Sequence, residues 1–332
     1  MNDRAVSLFE KYDVTIEKTR KGRGAIIAET EKGTLELVEY SGPIENLAME
    51  ERLLKNVAKR FACPLDLILK TSEEELFCTD YEGKKYIVKR YIDGAECNVL
   101  EESACIEASS ALARLHVAMR NPDFEGGDEV GGKRDNLLED FDRRTTELIR
   151  TRNYIRKNPK KEEFELMFLH SCDRYLEQAA LACSFLDGEC LQALGKKQEA
   201  ERMMVHGNCT HHNVLFTKQG VTFVNFEKMG AHLQTKDIYL FMRKILEKND
   251  WSYELGREML AAYEKELKLE KAEKRYLYAR FLYPEKFWKI ANGYLNRRKS
   301  VPARRQQEKL EAFEQKEEKR QLFLNKWLET CR

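Results

Sequence analysis

The chain has no apolar run approaching the roughly 20 residues that cross a bilayer, and its first stretch, MNDRAVSLFEKYDVTIE, lacks the uninterrupted apolar core of a signal peptide. The expectation is a soluble protein made and kept inside a cell. It has no CxxC pair either. Its nine cysteines are scattered singly, which suits reduced thiols in a cytosol better than a disulfide framework. Nor does charge of one sign prevail: 58 Lys plus Arg stand against 57 Asp plus Glu, so no global field draws the chain to nucleic acid or an anionic membrane. Any basic partner site must be local. Internal repeats and low-complexity tails are also missing. What is there is 332 residues at 42% hydrophobic content, enough for two lobes or a pair of domains with a core in each.

From Val14 to about Asp93 the pattern is strand-like: VTIEKTR, GAIIAET, GTLELVEY, LDLILKT and the hairpin-like LFCTDYEGKKYIVKRY. One helix interrupts it, IENLAMEERLLKNVAKRF, with Leu47, Leu54, Val57 and Phe61 on one face and Pro64 shortly after its end. After YIDGAECN the chain turns to amphipathic helices. Cys105, Ala108, Leu112, Leu115 and Met119 step by three and four as a buried stripe. GGDEVGGKRDN reads as a flexible connection between this helix and three more. Short apolar segments MMV, NVLF and VTFVNF then flank VHGNCTHHNVLF, with TKQG turning the last two into a hairpin. From Lys236 onward the pattern is helical.

Several local features have plain readings beside functional ones. His206, Cys209, His211 and His212 combine imidazole and thiol, the preferred zinc ligands, but their spacing matches no zinc signature, and exposed histidines are the default. Cys209 as a nucleophile would need a lowered pKa and an oriented base. YLNRRKSVPARRQQEK is the most basic stretch and lacks the interleaved aromatics of a stacking surface, so a solvated helix start is the default. His116 sits beside an apolar stripe as a core-edge residue.

The order of these segments, with HGNCTHHN followed by a hairpin and VNFEKMG, resembles the bilobal protein-kinase and aminoglycoside-phosphotransferase superfamily, whose loop runs HGDxxxxN and is followed by an IDF or IDW segment. FDRRTTELIRTRNYI, FELMFLHSCDRYLEQAALA, KDIYLFMRK and LYPEKFWKIANGYLN narrow the resemblance to the CotS-type spore-coat kinase-like proteins of endospore-forming bacteria, over nearly the whole chain. The resemblance implies an α+β, bilobal protein-kinase-like fold: a small antiparallel-sheet N-lobe with one helix at 1–94, and a large mainly helical C-lobe at 95–332 carrying the catalytic-type loop at 205–230. It also implies an ATP cleft with Mg²⁺ between the lobes.

Phosphoryl transfer needs a lysine on the phosphates, an Asp for the acceptor hydroxyl and ligands for magnesium. By resemblance the base position falls on Asn208, whose neutral amide accepts no proton, a loss of about 10²- to 10⁴-fold where a general base is required. Asn213 keeps the loop's second metal ligand. Asn225 stands where the principal metal carboxylate would be, with acidic Glu227 two residues on. The lysine position falls on Val38 or an immediate neighbour, because taking Lys89 of YIVK would leave too many residues after the KGRG turn; Lys89 then lies toward the adenine side, near Tyr91 at the nucleotide-binding hinge. Glu50 or Glu51 is the helix partner left without its lysine. Gly22 and Gly24 form either a phosphate cradle or an ordinary hairpin turn. His206 and Asp237 match structural residues of the loop.

These substitutions make a pseudokinase the leading expectation: a binding or scaffold protein of sporulation or the spore coat, its cleft either empty or holding a nucleotide as a structural ligand, with a protein partner, no nucleic acid and no membrane span, in the cytoplasm or the coat. The alternative is an active, atypical phosphotransferase acting on a small molecule or a protein, with Glu227 on the metal and Lys21 or Arg23 on the phosphates. A third reading keeps the nucleotide and transfers another group.

Overall fold

Alternation along the strands decides how the first third folds. In the computed structural model, which describes residues 3–121, 136–296 and 304–330, α1 (Asp3–Phe9) and a 3-10 turn (Glu10–Tyr12) precede a meander of β1 (Ile16–Lys21), β2 (Ala25–Thr30) and β3 (Gly33–Glu39). Then come α2 (Ile44–Ala58), β4 (Ile68–Leu69), β5 (Cys78–Thr79) and β6 (Lys85–Arg90). The sheet is antiparallel in the order β1-β2-β3-β6-β4, with β5 also on β6. Leu35, Leu37 and Val88 face one side, where they pack with Leu8, Phe9 and Tyr12 of the N-terminal segment. Period-2 geometry sends Glu36, Val38, Ile87 and Lys89 to the other side. Val38 lies opposite Ile87 and packs against a cluster with Tyr40, Leu47 and Ile68, while on the next rung Glu36 lies opposite Lys89. The inner face of the sheet is therefore apolar beside α2 and charged one step nearer the second lobe.

Two local expectations need correction. The expected small lobe holds one helix, yet a second, α1, precedes β1, and its Leu8 and Phe9 are buried and cap the outer face of the sheet. LDLILKT reads as a strand, but only Ile68–Leu69 pairs. Asp66 is buried just before it and turns inward to side-chain partners, so the segment is irregular where alternation alone would continue it.

β7 (Ala95–Glu96) leads into α3 (Glu102–Ala118), α4 (Leu137–Lys157), α5 (Glu163–Ser184) and α6 (Gly188–Ala200). β8 (Met204–Val205), β9 (Val214–Thr217), β10 (Gly220–Phe223) and β11 (Gly230–Ala231) are short, and α7 (Thr235–Lys248), α8 (Tyr253–Glu266), α9 (Lys271–Leu282), α10 (Glu285–Leu295), α11 (Arg304–Glu314) and α12 (Glu317–Thr330) follow. The expected flexible connection GGDEVGGKRDN lies outside the described residues except for Asn136, as does the middle of the basic stretch after Asn296. α3 carries the expected stripe into a core shared with α7, α8, α9 and α12. A second core joins α4, α5, α10 and α11 through stacked rings, Phe164 on Tyr294 at 4.1 Å and Phe168 on Phe287 at 5.1 Å. No described helix is long and apolar enough to cross a membrane.

α12 docks by shape. Trp327 is fully buried and stacks with Phe323 at 5.0 Å, and a Cβ on Gly256 of α8 would stand 3.0 Å from the Phe323 ring and 3.2 Å from the Trp327 ring, so any larger residue would press on both rings. Trp327→Ala should cost about 3–5 kcal/mol by cavity formation. In urea unfolding this would show as a lowered midpoint at unchanged slope.

Candidate functional site

β8 delivers the loop. His206 and Gly207 follow it with their backbone N–H groups aimed at the Asp237 carboxylate in the first turn of α7, at 2.7 and 3.0 Å. Buried N–H groups need an acceptor. Asp237 is itself fully buried; burial alone would raise its pKa, but the hydrogen bond from His116 at 3.3 Å and the backbone N–H of His206 hold it below the ordinary range. His206 donates through Nε2 to the Val224 carbonyl at 3.0 Å and accepts at Nδ1 from the Asn208 N–H at 3.2 Å, which fixes its tautomer. Gly207 has φ of 76°, and a Cβ there would stand 2.1 Å from the Lys228 carbonyl oxygen, so glycine is required.

The cysteine and histidines of the loop do not gather round an ion. Cys209 is fully buried, and burial pushes its thiol well above the usual value, which leaves no thiolate to attack or ligate. His211 is buried and pushed down to about 4 by that burial and by the neighbouring His212 and Lys248. His212 pairs with Glu96 of β7. Among the described residues no group of three or more His, Cys, Asp or Glu is arranged to hold a metal ion.

The hairpin ends at Phe223, and Asn225 sits beyond it in the left-handed region at φ 68°, a conformation asparagine tolerates better than most residues. Its side chain is committed on both ends: Nδ2 donates to Asn213 Oδ1 at 2.9 Å, and Oδ1 accepts from Lys89 Nζ at 3.0 Å. Asn213 in turn donates to the Asn208 carbonyl at 2.8 Å. Lys89 also donates to Asp66 Oδ2 at 2.8 Å, the same oxygen that receives the Asn225 backbone N–H at 2.9 Å, and Glu227 lies 3.6 Å from its ammonium. Burial would lower the pKa of Lys89, but Asp66, Glu227 and Glu36 together hold it above the ordinary lysine range, so the group is an ammonium at any physiological pH.

This donor set does not fit magnesium, which demands oxygens at about 2.0–2.1 Å in octahedral array. The carbonyl oxygen of Asn213 faces an N–H of Asn225, and that of Asn225 faces an ammonium. Only Glu227 offers a charged oxygen among the three sequence candidates, and it too points at Lys89.

The remaining sequence candidates separate. Lys89, set toward the adenine side by the sequence reading, reaches the metal-type segment because β6 alternation turns it inward with Ile87. Val38 lies in the apolar cluster, and Glu36 is the β3 residue nearest the charged group. Glu50 faces Glu227, Lys89 and Asp66, while Glu51 pairs along its own helix with Lys55. Gly22 and Gly24 form the β1–β2 turn, closed by the Gly22 N–H on the Ala25 carbonyl at 2.9 Å, with Gly24 at φ 71°. Arg23 at its tip bonds Glu96 at 3.1 Å, so the hairpin reaches across to the second lobe; Lys21 is exposed. Tyr91 carries the Arg20 guanidinium 5.0 Å above its ring. Sequence reasoning missed Asp66, Glu36 and Glu96. The one signal for Asp66 was an acid inside the otherwise apolar PLDLIL.

A small antiparallel sheet with α2 on its inner face, a helical second lobe and a loop hung on a buried aspartate define the protein-kinase-like fold of the aminoglycoside phosphotransferases. An aminoglycoside phosphotransferase from Alicyclobacillus acidocaldarius superposes with a TM-score of 0.86 at 18% identity, over 98% of this chain and 96% of that one. Spectinomycin phosphotransferase APH(9)-Ia, in complex with ADP and spectinomycin, gives 0.62 at 13% over 92% and 91%. A choline kinase from Cryptosporidium parvum gives 0.52 at 12% over 94% and 90%. At these identities the likeness is one of fold. By sequence, residues 5–327 match the family described as "Spore coat putative kinase YutH", and the chain belongs to that family. No curated protein matches it.

Glu50 gives the site a pH signature. Burial and the nearby Glu227 charge, partly offset by Lys89, raise its pKa from 4.5 to about 7. The folded state thus binds this proton more tightly than the unfolded chain, and the contribution to stability falls as pH rises from about 4.5 to about 7, then levels off. Glu50→Gln should remove that loss. The variant's gain over the natural chain should grow across this window to at most about 3 kcal/mol, read from melting curves at pH 5, 6, 7 and 8.

Proposed function

We propose that this chain is a pseudokinase-type member of its spore coat family: a kinase-fold binding module that has lost phosphoryl transfer and serves sporulation or coat assembly through a protein partner. The observation that carries this reading is the Asn225 amide, at the metal-carboxylate position, occupied on one side by Asn213 and on the other by Lys89. Asn208 at the base position adds a second loss, because an amide takes no proton from an acceptor hydroxyl. We take the lobes to divide at residues 94 and 95, where the sheet strands give way to β7, and we assign the protein, as a CotS-type relative, to the cytoplasm of the sporulating cell and to the coat. Binding of ATP with Mg²⁺ is not part of the reading. The nucleotide complexes of the neighbours, such as APH(9)-Ia with ADP, describe those proteins.

The alternative of an atypical phosphotransferase has one observation in its favour, the Glu227 carboxylate, which is 33% exposed at the edge of the cluster. Arg23, one of the two cations that reading would use, pairs with Glu96 at 3.1 Å. Purified protein incubated with Mg²⁺ and γ-labelled ATP should transfer no label to water, to itself or to basic and hydroxylated acceptors, and Asn208→Asp with Asn225→Asp should not restore transfer. A ligand at 100 times its Kd would add about 2.7 kcal/mol of stability; Mg²⁺–ATP should produce no such rise in Tm. Label transfer that disappears on Asn213→Ala would refute the proposal.

A further inference from the structure

Two carboxylates and an amide oxygen converge on one ammonium, and two further carboxyl groups act on its charge from nearby. Glu36 comes from β3, Glu50 from α2, Asp66 from the segment before β4 and Glu227 from beyond β10, and Lys89 stands among them at 1% exposure. Asp66 and Lys89 belong to the sheet lobe, Asn225 and Glu227 to the helical lobe. The ammonium thus bonds across the cleft, to Asp66 on one side and to the Asn225 amide oxygen on the other. Its contacts of 2.8 and 3.0 Å are ordinary for N–H donors and far longer than a divalent ion makes to oxygen. Asp66 Oδ1 is buried and has no hydrogen-bond partner, which leaves a carboxylate oxygen of the cluster free.

We infer that Lys89 is the resident cation of this cleft, a covalently attached substitute for the divalent metal, which ties the two lobes together and makes the folded protein independent of divalent ions. The inference rests on the reading that the cleft no longer transfers phosphoryl groups, and it goes further by naming the group that does the metal's electrostatic work. Removing one member of a buried charge group leaves the others uncompensated, the costly case. Without the ammonium, the Asp66 and Glu227 carboxylates and the Asn225 amide oxygen would face one another with no positive charge between them, which is a donor set for a hard divalent ion. Lys89 therefore both replaces a metal and keeps one out.

The test is metal dependence of stability, measured on the full chain by thermal unfolding after EDTA treatment, with Mg²⁺, Mn²⁺ or Ca²⁺ added back at constant ionic strength. For the natural chain the Tm should be the same with EDTA and with each ion. Lys89→Met should melt lower in EDTA and recover with Mn²⁺ or Ca²⁺, and Lys89→Met with Glu227→Gln should recover less. Recovery that is equally strong with monovalent salt of matched ionic strength would overturn the inference, as would no recovery at all. If Lys89→Met does not fold, direct titration of the natural chain decides: Mn²⁺ uptake followed by electron paramagnetic resonance should show no site tighter than millimolar. A site that is tighter and is lost on Asn225→Ala would overturn the inference, and it would do so without touching the loss of transfer, which label transfer from ATP tests separately.

Discussion

The buried ion pair between Lys89 and Asp66, with the Asn225 amide as third partner, is the constraint around which the cleft is built. Each of these groups would be costly in isolation, because an uncompensated buried charge costs several kcal/mol. Together they explain features that look unrelated. The inner face of the sheet turns from apolar to charged between Val38 and Glu36 because the opposing residue turns from Ile87 to Lys89. The chain before β4 leaves strand geometry because Asp66 must reach Lys89 and the Asn225 N–H at once. Asn225 holds a left-handed backbone conformation that aims its side chain back across the cleft.

The second lobe keeps its loop by different means. The backbone N–H of buried His206 and that of half-buried Gly207 require an acceptor, and Asp237 supplies it, with His116 and the Tyr263 hydroxyl behind. None of those bonds uses the side chain at the base position. Loop geometry and loop chemistry are therefore separable: Asn208 can stand where an acid is expected without any cost to the framework that holds it. A kinase-shaped loop in this chain reports on packing and backbone satisfaction, and the reaction has to be judged from Asn208, Asn213 and Asn225 individually.

Membership of the spore coat family fits a protein whose architecture is maintained at some expense. Helices α4, α5, α10 and α11 form a separate aromatic core with ring contacts from 4.1 to 6.5 Å, and α12 closes the other core with Trp327 and Phe323. The core closed by α12 also takes in Cys209, Phe223 and Phe226, which flank Asn208 and Asn225.

The sequence by itself determined the element types, because hydrophobic periods of 2 and of three-to-four are local, and they separate the sheet lobe from the helical lobe. The loop was also legible: HGNCTHHN and VNFEKMG carry their spacing in the letters, and the amides at 208, 213 and 225 are visible without coordinates. Where Lys89 acts was not legible. It meets Asn225 across 136 residues and Asp66 across 23, and a shift of one residue in the β3–β6 register would send it to the opposite face of the sheet. Only the tertiary structure sets that register, through Val38 against Ile87 and the turn ahead of β6, and so only it decided that the lysine stands on the metal-type segment with Glu36, Asp66 and Glu227 around it.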